Sequence, residues 1–472
     1  MTHTRLISLI VAVALFMENM DSTVIATALP AIAADIGTNP LALKLAITSY
    51  LLSLAIFIPA SGWVADRFGT RTVFRAAIAI FVLGSIACAV SGSLADFVAA
   101  RMLQGVGGAM MTPVGRLILL RSIDRRELLS AMAWVTMPAL IGPMVGPPVG
   151  GFITTYFSWH WIFIINVPIG IIGIVLASRY IDDIKAEKQA RFDWIGMILA
   201  GLGLGGVAFG LSVAGLDLIP LPPVLALSAL GVLFLVLYVR HAKRTPNPVL
   251  DLKLLAIPSF RATITGGFLF RLGIGAWPFL MPLMLQLGLK MNPFHSGLIT
   301  FAGSFGALLM KPVIAPLLRI FGFKNLLVPN AVLSSVLLAA CAIFTEATPV
   351  FVMFLVLTVG GFFRSLQFTA INTLAYADVP TNRMSQATSV VSVLQQISIS
   401  CGVAVGALAV EVTNRYNDSA TLTAEDFQPA FLIVAAISAS SVFILMRLDK
   451  DVGAEMANRK TSSAVNPDDR VT

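Results

Sequence analysis

Two acidic residues and a basic residue at comparable depth are among the charged side chains inside the long apolar runs of this 472-residue chain. Glu18 and Asp21 lie in the run 6–29, and Arg101 lies in the run 96–119. A charge at the centre of a bilayer costs at least about 3 kcal/mol, so such side chains usually have a functional role. Glu18 and Asp21 are three residues apart, where two ionised carboxylates repel each other and one tends to keep a proton. Both are therefore candidates for proton coupling.

Arg101 is the candidate partner of these carboxylates. It lies about 8 Å along its helix from the acidic residue Asp96, at a depth comparable to theirs. We expect it to pair with Asp21, or with Glu18, when the site is proton-free. Two alternatives stay open, because Arg101 could instead extend to the outer surface, and a buried ion pair could fix helix packing without titrating.

The composition requires elements that hold these charges within a membrane. Hydrophobic residues make up 57% of the chain and charged residues 12%, against roughly 25% charged residues in soluble domains. The formal charge of +8 comes from basic residues in short loops, not in a patch or tail, so no nucleic-acid partner is expected. The three cysteines all lie in apolar runs and predict no disulfide framework.

A membrane-spanning helix needs about 20 apolar residues. Fourteen runs qualify: 6–29, 44–64, 72–92, 96–119, 128–155, 160–180, 193–214, 220–239, 261–288, 293–316, 325–345, 349–375, 385–411 and 428–447. With both termini in the cytoplasm, inside segments collect 26 of the 32 Lys and Arg residues, as the positive-inside rule requires. The chain is thus predicted to be an all-α polytopic protein of a bacterial cytoplasmic (inner) membrane.

The spans divide into an N-terminal six-helix bundle at 1–192, two inserted helices at 193–239, a cytoplasmic connector at 240–260, a C-terminal six-helix bundle at 261–447 and a disordered cytoplasmic tail at 448–472. An internal echo supports two related halves. DRFGTR at 66–71 and RIFGFK at 319–324 each follow the second span of a half, as expected for a transporter built from repeats.

Two motifs lie near span ends. The loop motif GWVADRFGTR, residues 62–71, contains Gly62, Asp66, Arg67, Gly69 and Arg71; Asp66 can accept hydrogen bonds and Gly69 permits a tight turn. Alternatively, it is only an interhelical turn with arginines on the inner side. In span five, IGPMVGPPVGG at 141–151 contains Gly142, Pro143, Gly146, Pro147, Gly150 and Gly151. The glycine spacing of four lines one helix face, which favours either tight packing or a surface on which helices rearrange.

Together with RMLQGVGGA at 101–109 and MDSTVIATALP at 20–30, these motifs resemble the major facilitator superfamily, and its fourteen-span drug:proton antiporter branch in particular. The resemblance implies two six-helix bundles with two extra helices between them, alternating access, proton-driven export, a loop motif that locks the cytoplasmic gate and an antiporter motif in span five. Asp21 matches the first-span motif. Arg319 stands where the second half would need a counterpart of Asp66, which places a symmetrical lock in doubt.

Four residues are candidates for substrate binding. Arg271 lies about 15 Å beyond Arg261 and so near mid-membrane, where it could contact an anionic substrate group or a backbone carbonyl. Arg364 supports the same hypothesis. Gln104 lies one turn from Arg101, and Trp277 could line the cavity or simply pack against its neighbours.

These residues favour a proton-coupled antiporter that exports drugs or amphipathic small molecules. The alternative is an exporter of an anionic metabolite or metal chelate such as citrate or iron-citrate, because three intramembrane arginines face two acids. A receptor or enzyme is a remote third possibility, since no nucleophile with a paired base is evident. The expected partners are a small-molecule substrate, protons and the lipid bilayer. We expect a monomer with no metal and no cofactor, driven by the proton gradient.

Overall fold

The computed structural model describes residues 3–123, 125–185, 192–213, 220–380, 383–418 and 421–456, with the side chains of most residues in 124–140 left out. No β-strand occurs within these ranges. The predicted tail lies mostly outside them, as do residues 186–191 and 214–219. The described part of the chain is helical, as its composition predicts.

Eight long helices cover the first part of the chain. They are α1 (His3–Val24), α2 (Lys44–Phe68), α3 (Thr70–Ala89), α4 (Leu94–Ser122), α5 (Arg125–Tyr156), α6 (Asn166–Tyr180), α7 (Trp194–Val213) and α8 (Leu221–Arg244). Short helices at Leu29–Asp35 and Trp161–Ile164 lie between them. Ser93 caps α4, because its hydroxyl accepts a hydrogen bond from the backbone N–H of Asp96 at the first turn.

Six more helices follow the connector. They are α9 (Pro258–Leu283), α10 (Pro293–Met310), α11 (Ile314–Ala339), α12 (Val350–Leu374), α13 (Met384–Tyr416) and α14 (Ala424–Leu445). Twelve helices among the described residues are long and apolar enough to cross a membrane, and α5 and α10 are not among them. The all-helical, polytopic fold is therefore confirmed, whereas the number of fourteen spans stays a prediction.

Helices pack mainly within two groups. In the first, α1 packs on α5 and both α2 and α3 pack on α4; in the second, α10 packs on α12 and both α13 and α14 pack on α9. Contacts of α5 with α10 and of α2 with α13 join the groups. The predicted inserted helices lie beside the second of these contacts, since α7 packs on both α2 and α13. The division into bundles at the predicted boundaries stays a prediction.

The connector is shorter than the predicted range 240–260. Helix α8 continues to Arg244, and α9 begins at Pro258, with a short 3-10 helix at Leu252–Ala256 between them. Residues Arg240 to Arg244 continue helix α8. The helix ends there because Pro246 and Pro248, which follow, cannot donate backbone hydrogen bonds.

The two echoed loops share an unusual backbone conformation. Gly69 has φ +98° and Gly322 has φ +73°, a region that residues with a side chain rarely adopt. Gly69 separates α2 from α3, whereas Gly322 forms a kink inside α11, so the echoed sequences share a glycine with positive φ at a break in the helical conformation.

Candidate functional site

The carboxylate of Asp21 is fully enclosed between helices. It lies in the last turn of α1 and has no solvent exposure. Its Oδ2 accepts a hydrogen bond from Arg101 Nη1 at 2.7 Å, and its Oδ1 accepts bonds from Gln104 Nε2 and Asn166 Nδ2, both at 2.8 Å. Helices α1, α4 and α6 thus meet at a single carboxylate.

Two further residues complete the surroundings of this carboxylate. Ser85 Oγ on α3 accepts bonds from Gln104 Nε2 at 2.7 Å and from Asn166 Nδ2 at 3.2 Å. The guanidinium of Arg101 lies over the ring of Tyr50 on α2, with its carbon 4.3 Å from the ring centroid. We call this cluster the Asp21 centre; it consists of Asp21, Tyr50, Ser85, Arg101, Gln104 and Asn166.

The Asp21 centre balances its charge internally. The ion pair between Asp21 and Arg101 is at most 1% exposed, so removing either charge alone would leave the other buried without its partner, at a cost of about 3–5 kcal/mol. A proton on Asp21 has the same electrostatic effect as removing its charge. Neutralising either charge therefore requires the other to move or to gain a new partner.

Glu18 has different partners from Asp21. It is half-buried, and its Oε2 accepts a hydrogen bond from Thr112 Oγ1 at 2.8 Å. The structure therefore brings Arg101 to Asp21, the first of the two predicted partners, and places Glu18 one turn away beside another part of α4.

Sequence reasoning identified three members of the Asp21 centre and missed three. Gln104, a candidate for substrate binding, is completely buried and donates a hydrogen bond to Asp21, so its contact with substrate stays a prediction. Ser85, Asn166 and Tyr50 were not singled out. The available signal was weak, because isolated neutral polar residues in apolar runs also occur as ordinary packing residues. Asn166 in INVPIG was the most informative of them, since an amide in a lipid environment needs a partner.

The glycine face of the span-five motif packs directly on α1. A Cβ added to Gly142 would lie 3.1 Å from the backbone of Met20, and one added to Gly150 would lie 2.4 Å from the carbonyl oxygen of Val24. Gly146 faces Thr23 in the same way. On α10, the Cβ position of Gly297 lies 2.3 Å from the carbonyl oxygen of Pro147.

The other residues of the motif extend this surface to the second group of helices. Gly151 approaches the carbonyl oxygen of Pro293, and the hydroxyl of Ser304 on α10 donates to the carbonyl of Pro143 at 3.3 Å. The motif thus lies between the helix that carries Asp21 and the second group.

The loop motif forms a polar cluster at the ends of α2, α3 and α4. Asp66 Oδ1 accepts a hydrogen bond from Arg121 Nη2 at 2.5 Å, so its partner lies on α4 and not within the motif. Arg71 Nη1 approaches the carbonyl of Ile181 at 3.5 Å, and Arg67 lies over the ring of Trp63. Asp183 accepts bonds from the backbone and the hydroxyl of Thr72, at 3.2 and 2.9 Å.

The two glycines of this motif should respond oppositely to alanine. At Gly69 a Cβ would lie 2.2 Å from Asp183 Oδ1 and would require positive φ, so Gly69→Ala should destabilise the protein by about 1–2 kcal/mol or more. A Cβ at Gly62, inside α2, meets nothing within 4 Å, so Gly62→Ala should be neutral or stabilising by up to about 1 kcal/mol. Thermal unfolding in detergent measures both, and equal melting temperatures would contradict the assignment.

Three of the four predicted substrate residues, Arg271, Arg364 and Trp277, lie in the second group of helices. Arg271 on α9 is 1% exposed and donates from Nη2 to Asn372 Oδ1 at 2.6 Å. Arg364 on α12 donates from Nε to the carbonyl of Gly360 at 3.3 Å, and its guanidinium carbon lies 4.0 Å from the ring centroid of Trp277. The structure brings Arg364 and Trp277 together.

One buried ion pair joins the two groups of helices. Lys44 at the start of α2 has no solvent exposure, and its Nζ lies 3.7 Å from Glu411 Oε2 on α13. Arg415, one turn along α13, also contacts Glu411, at 3.0 Å. Lys44 begins α2 and Glu411 lies in the last two turns of α13, and both are buried at a contact between the helix groups.

Loss of Glu411 should cost more stability than loss of Lys44. Glu411→Gln leaves the buried ammonium without its carboxylate and should cost about 3–5 kcal/mol. Lys44→Gln leaves Glu411 still paired with Arg415 and should cost less. Melting temperatures in detergent give this order. Glu346→Gln is the control, since Glu346 and Lys290 form a pair of exposed side chains, 65% and 83% exposed and 3.9 Å apart. An unchanged melting temperature for Glu411→Gln would contradict the prediction.

Long apolar helices that enclose a charged centre, in two packed groups, define an integral membrane transport protein. Residues 11–288 and 263–466 match the sequence profile of the Major Facilitator Superfamily. The chain belongs to this superfamily, and it is a secondary transporter, not an enzyme.

Relatives of known sequence match the chain over nearly its full length. It is 37% identical over 460 residues to "Putative multidrug resistance protein MdtD" of Escherichia fergusonii, with 96% of this chain and 97% of the relative covered. A protein of the same name from Escherichia coli is 37% identical over 467 residues, with 98% of each chain covered.

Solved transporters share the fold at low sequence identity. A peptide transporter POT bound to sulfate aligns with a TM-score of 0.70 and 13% identity, covering 94% of both chains. The inward-open xylose transporter XylE of E. coli aligns with a TM-score of 0.64 and 12% identity, covering 93% of this chain and 95% of that one. At these identities the likeness establishes the fold alone.

Proposed function

We propose that this transporter is a proton-coupled antiporter that exports drugs or other amphipathic small molecules by alternating access. The observation that carries the proposal is the Asp21 centre, a carboxylate enclosed beside a guanidinium whose charge must be compensated whenever the carboxylate takes up a proton. The name of the MdtD relatives, which refers to multidrug resistance, is consistent with this cargo.

The coupling cycle follows from this competition. When the site faces the proton-rich outside, Asp21 binds a proton, the ion pair with Arg101 breaks and substrate leaves. When the site faces the cytoplasm, Asp21 loses the proton and recovers Arg101. Glu18, bonded to Thr112 one turn away, is the second candidate for carrying the proton.

The span-five motif is the proposed surface for the accompanying helix movement. Its glycines contact α1 beside Asp21 and its far end contacts α10, so a shift of α1 reaches the second group through backbone contacts. The cluster around Asp66 and Arg121 is the proposed lock on the cytoplasmic side.

The proposed setting follows from the distribution of basic residues. We place both termini in the cytoplasm and the chain in a bacterial inner membrane, as a monomer that needs no cofactor beyond the proton gradient. The helices α7 and α8 are assigned to the predicted insertion between the bundles.

Reconstitution into vesicles tests the proposal. With an imposed pH gradient and an internal pH-sensitive dye, addition of a transported compound should release protons in a direction opposite to substrate movement. Cationic dyes such as ethidium and carboxylates such as citrate serve as the test compounds. Proton coupling would be refuted if a compound moves independently of the pH gradient, or if it moves without an accompanying proton flux.

A further inference from the structure

We propose that Arg271 and Arg364 form a binding subsite for an organic oxyanion, a small molecule with carboxylate or phosphate groups, between α9 and α12. The inference rests on the proposed function, because it names the class of substrate that the antiporter carries. It begins with Arg271, which is 99% buried and has one hydrogen-bond partner, the neutral side chain of Asn372. Its Nε and Nη1 are buried and have no partner among the described residues.

Arg364 is half-buried and also lacks a carboxylate partner among the described residues. Its Nε bonds to the carbonyl of Gly360, and its guanidinium stacks on Trp277. No carboxylate lies within ion-pair distance of either arginine in the described ranges. The contrast with Arg101 is direct, since that arginine meets Asp21 at 2.7 Å.

The second group of helices therefore holds two guanidinium charges inside the membrane without a protein counter-charge. An isolated charge in such surroundings is strongly unfavourable. A ligand that brings negative charge removes this penalty and gains charge-assisted hydrogen bonds from two planar donor groups that match carboxylate or phosphate oxygens. An anion is thus the ligand that this arrangement stabilises.

The aromatic residues of the subsite point to the same conclusion. A cationic drug would bind through the faces of aromatic rings. Arg364 already occupies the face of Trp277, and the guanidinium carbon of Arg271 lies 5.6 Å from the ring centroid of Phe368. A cation would have to displace an arginine and then remain beside its charge.

The two arginines occupy neighbouring levels of one helix interface. Trp277 follows Arg271 by six residues on α9, a rise of about 9 Å, and Phe368 follows Arg364 by four residues on α12. Each arginine therefore reaches from its own helix to the aromatic ring of the other helix. In this conformation Arg271 is enclosed and Arg364 is half-buried, so an anion reaches both of them when α9 and α12 separate during transport.

Binding to the purified full-length protein tests the subsite. Citrate, succinate and glycerol 3-phosphate would be titrated at constant ionic strength, with the melting temperature and tryptophan fluorescence as readouts, and tetraphenylphosphonium would serve as the cationic probe. We expect saturable binding of at least one anion, with carboxylate and phosphate probes separating the two chemistries. Arg271→Gln and Arg364→Gln should each weaken it by about tenfold or more.

Arg261→Gln is the matched control, because Arg261 is an exposed arginine on the same helix as Arg271. This variant should bind anions as the wild type does. Without ligand, Arg271→Gln should be at least as thermostable as the wild type, because it removes an uncompensated charge, and this also shows that the variant folds. Three outcomes would overturn the proposal: saturable binding of the cation only, no saturable binding of any anion, or anion binding that neither substitution affects. The wild-type protein distinguishes the two hypotheses. Saturable anion binding without any gradient-driven transport by the wild type would refute proton coupling and leave the subsite intact, whereas coupled transport without anion binding would refute the subsite alone.

Discussion

Asp21→Asn is expected to abolish gradient-driven transport. Exchange of substrate across the vesicle membrane in the absence of a pH gradient should be retained. Asparagine keeps the size of the side chain and an oxygen that can accept from Asn166 or Gln104, but it cannot carry a proton between the two sides. Loss of a group that transfers a proton typically lowers a rate by roughly 100-fold or more. Initial rates of proton release and of substrate counterflow in reconstituted vesicles separate the two activities.

A second variant separates coupling from folding. Asp21→Asn leaves Arg101 buried without its carboxylate and should lower stability by about 3–5 kcal/mol. Adding Arg101→Gln removes that unpaired charge, so the double variant should regain stability but not coupling. If gradient-driven flux persists in Asp21→Asn and disappears in Glu18→Gln, the proton is carried by Glu18. Full flux in both variants would exclude the first helix from coupling.

The most reliable sequence signal was charge in apolar runs. Depth alone predicted that Arg101 pairs with Asp21 or with Glu18, because few compensating charges exist inside a membrane and each one limits the partners of the others. The same reasoning could not separate Arg101 from Arg271 and Arg364, whose difference appears only when the neighbours of each guanidinium are known. One is paired with a carboxylate, and the other two are not.

Partners that come from distant helices were beyond the sequence. The motif around Asp66 predicted a turn and a carboxylate that accepts hydrogen bonds. The partner of Asp66 is Arg121, which lies 55 residues away, and Asp183 contacts the motif from still further along the chain. The burial of Lys44 was beyond the sequence for a related reason. A lysine at the start of a helix is usually solvated, and only the packing of α2 on α13 shows that Glu411 covers it.

Periodicity was informative where small residues repeat. The spacing of four in Gly142, Gly146 and Gly150 predicted a smooth face, and the structure adds that α1 packs on it. Two possibilities had been left open, tight packing and a surface for rearrangement. Static contacts establish the first of these. The second requires a measurement of transport.

Gly150→Ala is expected to impair both stability and transport. The added methyl group would lie 2.4 Å from the carbonyl oxygen of Val24 and 2.6 Å from Thr27 Oγ1, and a backbone atom cannot rotate away as a side chain can. Overpacking of this kind costs about 1–3 kcal/mol. Val24 is three residues from Asp21, so the same displacement alters the distance between Asp21 and Arg101. We therefore expect the transport rate to fall by about tenfold, which corresponds to roughly 1.4 kcal/mol of coupling energy.

Gly173→Ala on α6 is the matched control. Its Cβ would make an ordinary contact of 3.6 Å with Ile78, so alanine should stabilise the helix by up to about 1 kcal/mol and leave transport unchanged. Gly142→Ala, with its nearest contact at 3.1 Å, should lie between the two. If transport falls in this order even after activity is normalised to folded protein, the glycine face transmits movement between α1 and α5. If only stability follows the order, the face serves packing alone, because a merely structural contact would lower the amount of folded transporter without changing the rate of each folded molecule.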